Sequence, residues 1–384
     1  MRIARVTATP LNVPVVLDAA GIEKKTSLSV CLVEVETDTG LVGHGLTAIT
    51  EEEVVASAVN EVVAPNLTGE DPLAHEKMWE KLYWLLSPRG QTGYASHAIA
   101  AVDVALWDLK GKALKQPVWR LLGGARAKVP VYTTFGFGAY GRDELAAAAK
   151  WWAARGHKRL KMVVGHHGLQ RRDEPRPLEE VIAEDARRVR AVRDAVGMDV
   201  DLHVDANCSL DGFHAQRLAR SLEAMAISFF EEPVKENDIP SLLALKKATS
   251  IPLAAGQNEG LAWRFRDFVV SRCIDLVQPN VVIGGGYTQC ARIAGMASAF
   301  NLPMANGGAW AHHNMHLHAG LANGGLVEYH YAAVKVCEAI YGKLPAPDAG
   351  WLTLPEIPGL GFEPQPDSVK ELKKRPTSHG KGKA

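Results

Sequence analysis

Three short apolar runs constrain this chain more than anything else in it. DLHVDA carries Asp205, FFEEPV carries Glu231, and PLAAGQNEG carries Gln257. The intervals between these residues are equal at 26 (231 − 205 and 257 − 231). So regular a spacing predicts one unit repeated: strand, loop, helix, loop, next strand. If the strands are parallel neighbours, the three side chains meet at one end of a sheet. Two carboxylates and an amide converging there suit a hard cation such as Mg²⁺, which takes oxygen ligands and keeps positions for water or substrate. The competing reading is three polar strand ends facing water. Polar residues in register at the C-terminal ends of barrel strands favour function.

The flanking sequence extends the repeat. From about residue 129 strands alternate with helices. The expected strands are 129–135, 159–164, 199–206, 227–233, 251–257, 273–280, 302–306 and 326–331. Eight such strands fit a (β/α)₈ barrel. A doubly wound open sheet is the competing fold, but no GxGxxG opens the first βα unit. After the sixth strand, VIGGGY (282–287) can cradle an anion at a helix N-terminus or form a tight turn.

Ahead of the barrel the pattern changes. Arg2 to Pro10 alternates and LSVCLVEVE (28–36) is β-branched, so both read as strands. Between them, LDAAGIEKKTS reads as a polar loop and a candidate flap. Its Lys24 and Lys25 can meet an anionic ligand or simply stay solvated. Residues 50–122 turn helical, with Thr50 as a cap, a break at Gly111 and a stop at Gly123-Gly124. The segment GWLTLPEIPGLGFEPQP is expected to leave the barrel and return to the N-terminal part. The expected organisation is a cap over 1–125, a barrel over 126–332, and a C-terminal segment over 333–384. A disordered basic tail is expected from about 374.

At 384 residues the chain has room for about two domains. Charged residues are 22% and cancel to a formal net charge of zero, so no global basic field points to nucleic acid or membrane. The five cysteines form no CxxC pair, which suggests reduced thiols and a cytoplasmic location. No apolar run is long enough to span a bilayer. The expected partners are a small carboxylic acid and further copies of the chain.

The motifs together resemble the enolase superfamily, specifically its mandelate racemase subgroup. AIAAVDVALWDLKGKALKQPVWRLLGG, HVDAN, FFEEPV, AAGQNEG, LVQPNVVIGGGYT and PGLGFE follow that family's order over nearly the whole chain. The resemblance implies a modified TIM barrel, (β/α)₇β-like, under an α+β cap completed by the C-terminal segment. It also implies Mg²⁺-dependent removal of the proton α to a carboxylate, often in an acid sugar. That proton is very weakly acidic, and a cation in a water-poor pocket offsets the charge its removal creates. The implied reaction is dehydration of a hydroxy acid, with racemisation or epimerisation second. A non-catalytic barrel binding an acid or a metal is the third reading.

Carried over residue by residue, the resemblance implies metal ligands at Asp205, Glu231 and Gln257, with Glu259 as an alternate third. Lys161 takes the first position of a Lys-x-Lys pair, but the second is Val163. The positions of a His–Asp dyad fall on Asn306 and Asn280, neither of which is a base. The expected replacement proton carriers are Lys161 and the cluster AHHNMHLH, with His312 and His313 ranked first. Packing and helix hydrogen bonding are the competing reading for each of these histidines. Glu328 is expected to hydrogen-bond the substrate. Lys24, Asn207, Asn280 and Asn306 are expected to bind it. His166 and His167, in a polar insertion after the second strand, are further candidates, and His203 is expected to fill the core.

Overall fold

The computed structural model describes residues 1–49, 51–89, 91–165 and 177–373. Thr50, His166, His167 and the basic tail lie outside them. The first sheet is antiparallel: β1 (Ile3–Ala19), β2 (Ile22–Thr37) and β3 (Val42–Ala48). The segment expected as a loop is instead the far end of the β1–β2 hairpin, with Leu17 opposite Lys24 and Val16 opposite Lys25. The reason is a period of two hidden by polar neighbours. Leu11, Val13, Val15, Leu17 and Ala19 are all buried and belong to the core shared with the barrel.

The helix Tyr94–Leu114 crosses this sheet and is buried along most of its length. It runs through Gly111 without a break. A Cβ there would lie 2.7 Å from Gly359 Cα, so the glycine serves a close crossing of chains rather than a stop. The closing PGLGFE makes that crossing. Gly359 O accepts from Val118 N, and Leu360 N donates to Asp108.

The second sheet is parallel and curled. Its order is β10 (Val327–His330), β4 (Lys128–Gly136), β5 (Arg159–Val163), β6 (Asp201–Asp205), β7 (Ile227–Glu231), β8 (Leu253–Ala255) and β9 (Leu276–Val277). Bridges Val277–Met304 and Ala305–Leu326 link the two edges through the place expected for strand seven. A short β11 (Trp351–Thr353) pairs antiparallel with β4. The fold is therefore the α/β barrel of the expected class, with an antiparallel cap.

Cap and barrel interlock through the glycine-rich run. It opens the helix Gly286–Ala299, and the anion at that N-terminus is the chain's own Asp103. Thr288 donates to it from both its backbone N (3.0 Å) and its hydroxyl (2.6 Å). A ligand role for this run is thereby pre-empted.

Candidate active site

In-register pairing delivers the site. Val163, Asp205 and Glu231 are consecutive partners across β5, β6 and β7, with Lys161 and His203 paired one layer below. Parallel strands with equal repeats place these side chains at one end of the barrel.

Lys161 is buried at the centre of three carboxylates. Its Nζ donates to Glu231 Oε2 at 2.7 Å and Asp205 Oδ2 at 3.0 Å, and pairs with Glu328 Oε1 at 2.9 Å. Burial disfavours its charge, but Asp205, Glu231 and Glu328 outweigh that and hold the ammonium well above its ordinary pKa. Burial and then the charge of Asp205 push Glu231 well up. One cation thus serves three buried acids, and Glu231 Oε1 has no hydrogen-bond partner. A buried, unpaired carboxylate oxygen is costly, and a second cation would satisfy it. Gly307 passes directly over this point: a Cβ there would lie 2.8 Å from Glu231 Oε1 and 3.0 Å from Gln257 Cβ.

Gln257 stands beside the pair. Its Nε2 donates to Asp205 Oδ2 at 3.3 Å, Asn207 Oδ1 at 3.2 Å and Glu232 Oε2 at 3.2 Å. Turning the amide by half a turn presents Oε1 to the same place. That orientation is unfavourable against three acceptors and favourable beside a cation. Glu232 is buried and fully bonded, by Asn237, Gln257 and Asn258. Glu259 is turned away. Its oxygens accept from Asn237 Nδ2 and Arg264 Nε, both at 2.9 Å. The geometry therefore brings Gln257, not the alternate Glu259, to Asp205.

Four of the expected site residues need correction. Asn280 and Asn306 are not available to a ligand as expected. Asn280 Nδ2 donates to Gly307 O and Gly308 O, while its Oδ1 accepts from Val282 N and Asn314 Nδ2. Asn306 donates to Gly307 O and Ala309 O and accepts from Glu328 N. Both amides are spent shaping the loop that carries Gly307. His312 and His313 also leave the site, because the helix Ala311–Gly320 is buried all round. His312 meets Pro345 O at 2.8 Å, and the His313 ring lies against Phe362 and Tyr341. Burial pushes the His313 pKa down to about 3, so it stays neutral. His203 fills the core as expected, stacked on Phe229 at 4.0 Å between ring centroids.

Glu328 remains in place. Thr134 donates to one oxygen and Ala309 N to the other, at 2.6 Å for the latter. Burial opposes its charge, yet Lys161 helps keep its pKa below the usual carboxylate value.

Beside this cluster a cavity of about 440 Å³ lies between cap and barrel. Lys24, Lys25, Val163, Asn207 and His330 line it. Lys24 also pairs with Glu144 at 2.8 Å and lies over the Tyr140 ring, so its charge is shared within the wall. Val163 gives an apolar surface where a lysine was looked for. His330 was missed, although its signal was present: it lies two residues beyond Glu328, on the same face of the strand.

Two family models match the chain. Residues 2–123 match the mandelate racemase / muconate lactonizing enzyme N-terminal domain, and residues 143–368 match the enolase C-terminal domain-like family. An arabinonate dehydratase from Saccharolobus solfataricus is 30% identical over 353 residues, covering 90% of this chain and 91% of its own. A D-galactonate dehydratase from Variovorax paradoxus is 34% identical, covering 71% and 69%. The crystal structure of L-talarate dehydratase from Polaromonas sp. JS666, complexed with Mg and L-glucarate, superposes with a TM-score of 0.82. It is 30% identical and covers 97% of each chain. The chain belongs to the mandelate racemase / muconate lactonizing enzyme family of the enolase superfamily.

Proposed function

We propose that the chain is a Mg²⁺-dependent dehydratase of a polyhydroxy carboxylic acid. The observation that carries this reading is the charge balance around Lys161: three buried acids, one cation and an orphaned Glu231 oxygen beside a lysine-lined cavity. Asp205, Glu231 and the Gln257 side-chain oxygen are the residues that would hold the ion. When bound, it supplies charge neutralisation at the substrate carboxylate as the α-proton leaves.

The chain's own groups do the rest. Lys24 and Lys25 draw an acid into the cavity. Lys161, two residues before the cavity-lining Val163, is the proton carrier, and Glu328 holds it from β10. It could accept a proton only with a cation taking over Asp205 and Glu231, since in their company its ammonium stays charged. Val163 and Phe137 give the cavity apolar surface, which strengthens every polar contact made there. Elimination of the β-hydroxyl needs one base and a donor at the leaving oxygen. Racemisation or epimerisation needs bases on both faces of the α-carbon, and Asn280 and Asn306 supply none.

The relatives named as dehydratases of arabinonate and D-galactonate support this substrate class. A second reading is a non-catalytic acid-binding barrel. It is favoured by Val163 lining the cavity and by the spent amides of Asn280 and Asn306.

The test is a panel of five- and six-carbon aldonic acids with Mg²⁺ in ²H₂O. A dehydratase releases a 2-keto-3-deoxy acid, whereas an epimerase returns the inverted acid with deuterium at the α-carbon. A binding protein shows calorimetric affinity with neither. Absence of Mg²⁺ binding, with or without acid, sinks the dehydratase reading.

A further inference from the structure

His330 occupies an unusual place. It ends β10, two residues beyond Glu328, and its ring lines the cavity against Phe137 at 5.1 Å between centroids. It is also the N-cap of the helix Tyr331–Tyr341, with its Nδ1 accepting from Ala333 N at 3.3 Å. Ser, Thr, Asp and Asn are the favoured caps, so an imidazole is not chosen for capping strength. It does something those residues would not. Because Nδ1 accepts a hydrogen bond, the proton of the neutral ring sits on Nε2. Among the described residues no acceptor meets that N–H.

We infer that His330 is a neutral hydrogen-bond donor, locked in its Nε2–H tautomer by the helix cap, that reads a hydroxyl oxygen of the polyhydroxy acid. This rests on the dehydratase reading for the identity of the ligand. The charges facing the ring are Glu328 on its own strand, Lys161 from β5 and Asp205 from β6, with Lys24 and Lys25 lining the same cavity from the cap. Burial is the largest influence and lowers its pKa. A helix N-terminus acts in the same direction, disfavouring a positive ring. An imidazole kept neutral at a helix N-terminus can still polarise an oxygen through its remaining N–H. Here the lysines attract the carboxylate end, and the neutral Nε2–H beside Glu328 suits an uncharged hydroxyl. No proton changes hands: His330 binds and orients the oxygen, and so chooses among acids that differ in hydroxyl position.

The experiment uses the full chain labelled with ¹⁵N-histidine, the His330 signals being assigned by their loss in His330→Gln. The expected result is the Nε2–H tautomer, with no titration from pH 8 to pH 5.5. Binding is then compared for Mg²⁺-loaded wild type, His330→Asn and His330→Gln, using five- and six-carbon aldonates and their monodeoxy forms. Asn keeps the cap and the fold but is too short to reach the ligand; Gln keeps a donor. For one hydroxyl position, His330→Asn should lose about tenfold in affinity and His330→Gln about threefold or less. The matching deoxy acid should bind all three alike. A proton on Nδ1, a ring titrating near neutral pH, or an equal loss with every deoxy acid overturns the inference. If no aldonate binds wild type, the dehydratase reading fails separately, while tautomer and titration still decide whether the locked donor exists.

Discussion

Lys161 donates to Glu231 across 2.7 Å at a point where neither side chain reaches solvent. The pair is not balanced, because Asp205 and Glu328 share the same ammonium. Removing Lys161 therefore leaves three acids without any cation. Lys161→Ala should lose about 3–5 kcal/mol of stability, the usual cost of breaking a buried ion pair. Mg²⁺ should restore part of this, since it brings charge to the same acids. Urea unfolding with and without Mg²⁺ measures both effects. A metal-free Lys161→Ala chain as stable as wild type would show that the acids are already protonated and need no cation.

Gln257 and Glu259 compete on paper for the third ligand position, and the geometry separates them. Gln257 faces Asp205, whereas Glu259 is paired with Arg264. Gln257→Glu adds a formal charge at the candidate metal position. It should tighten Mg²⁺ binding by roughly tenfold, since affinity follows ligand charge. It should also destabilise the metal-free chain, because a new carboxylate meets Asp205 and Glu232. Glu259→Gln should leave Mg²⁺ affinity within about twofold, because that residue lies outside the candidate ligand set. Titration calorimetry on the two variants decides. The reverse pattern would make Glu259 the ligand.

The equal spacing of Asp205, Glu231 and Gln257 made the barrel legible because parallel strands with similar helices repeat at similar lengths. The same logic placed Lys161 in the interior, since parity along a strand fixes which face a side chain takes. The hairpin tip was harder to read: Asp18, Glu23, Lys24 and Lys25 mask an alternation that one buried face preserves. His312 and His313 misled for another reason. Four histidines close together resemble a reactive cluster, but here the C-terminal segment covers His312, His313 and His316, and no local pattern reports a contact with residues 345–362. The roles of Asn280 and Asn306 depend on loop geometry, which the identity of an amide does not encode.

The seam between cap and C-terminal segment should be sensitive to alkaline pH. His44 meets Glu363 at 2.7 Å and Glu34 at 3.5 Å, and Lys112 joins Glu363 to Asp108. Burial works against a charge on His44, but the two glutamates overcome it and raise its pKa from 6.5 to about 8. A folded pKa above the unfolded one stabilises the fold fully below about pH 6.5, and that contribution is lost as pH rises through about 8. With Glu363 half exposed, the expected size is on the order of 1–2 kcal/mol. The difference in unfolding free energy between wild type and His44→Asn should therefore shrink from pH 6 to pH 9. A constant difference would assign His44 a packing role alone.

His313 separates structure from chemistry. Its ring is buried between Tyr341, which it meets at 5.8 Å, and Phe362 at 5.1 Å. Held neutral by burial, it cannot present an acid at neutral pH, and its contacts lie with the C-terminal segment rather than with Asp205 and Glu231. Replacing it removes packing. His313→Ala should cost about 2–4 kcal/mol, as truncation of a large buried side chain does. At a temperature where both chains stay folded, α-proton exchange per folded molecule should stay within about twofold of wild type. Lys161→Ala should abolish that exchange even when Mg²⁺ restores its fold. Paired measurement of melting temperature and exchange in the two variants distinguishes them. Loss of exchange in a fully folded His313→Ala chain would return the proton carrier to the buried helix.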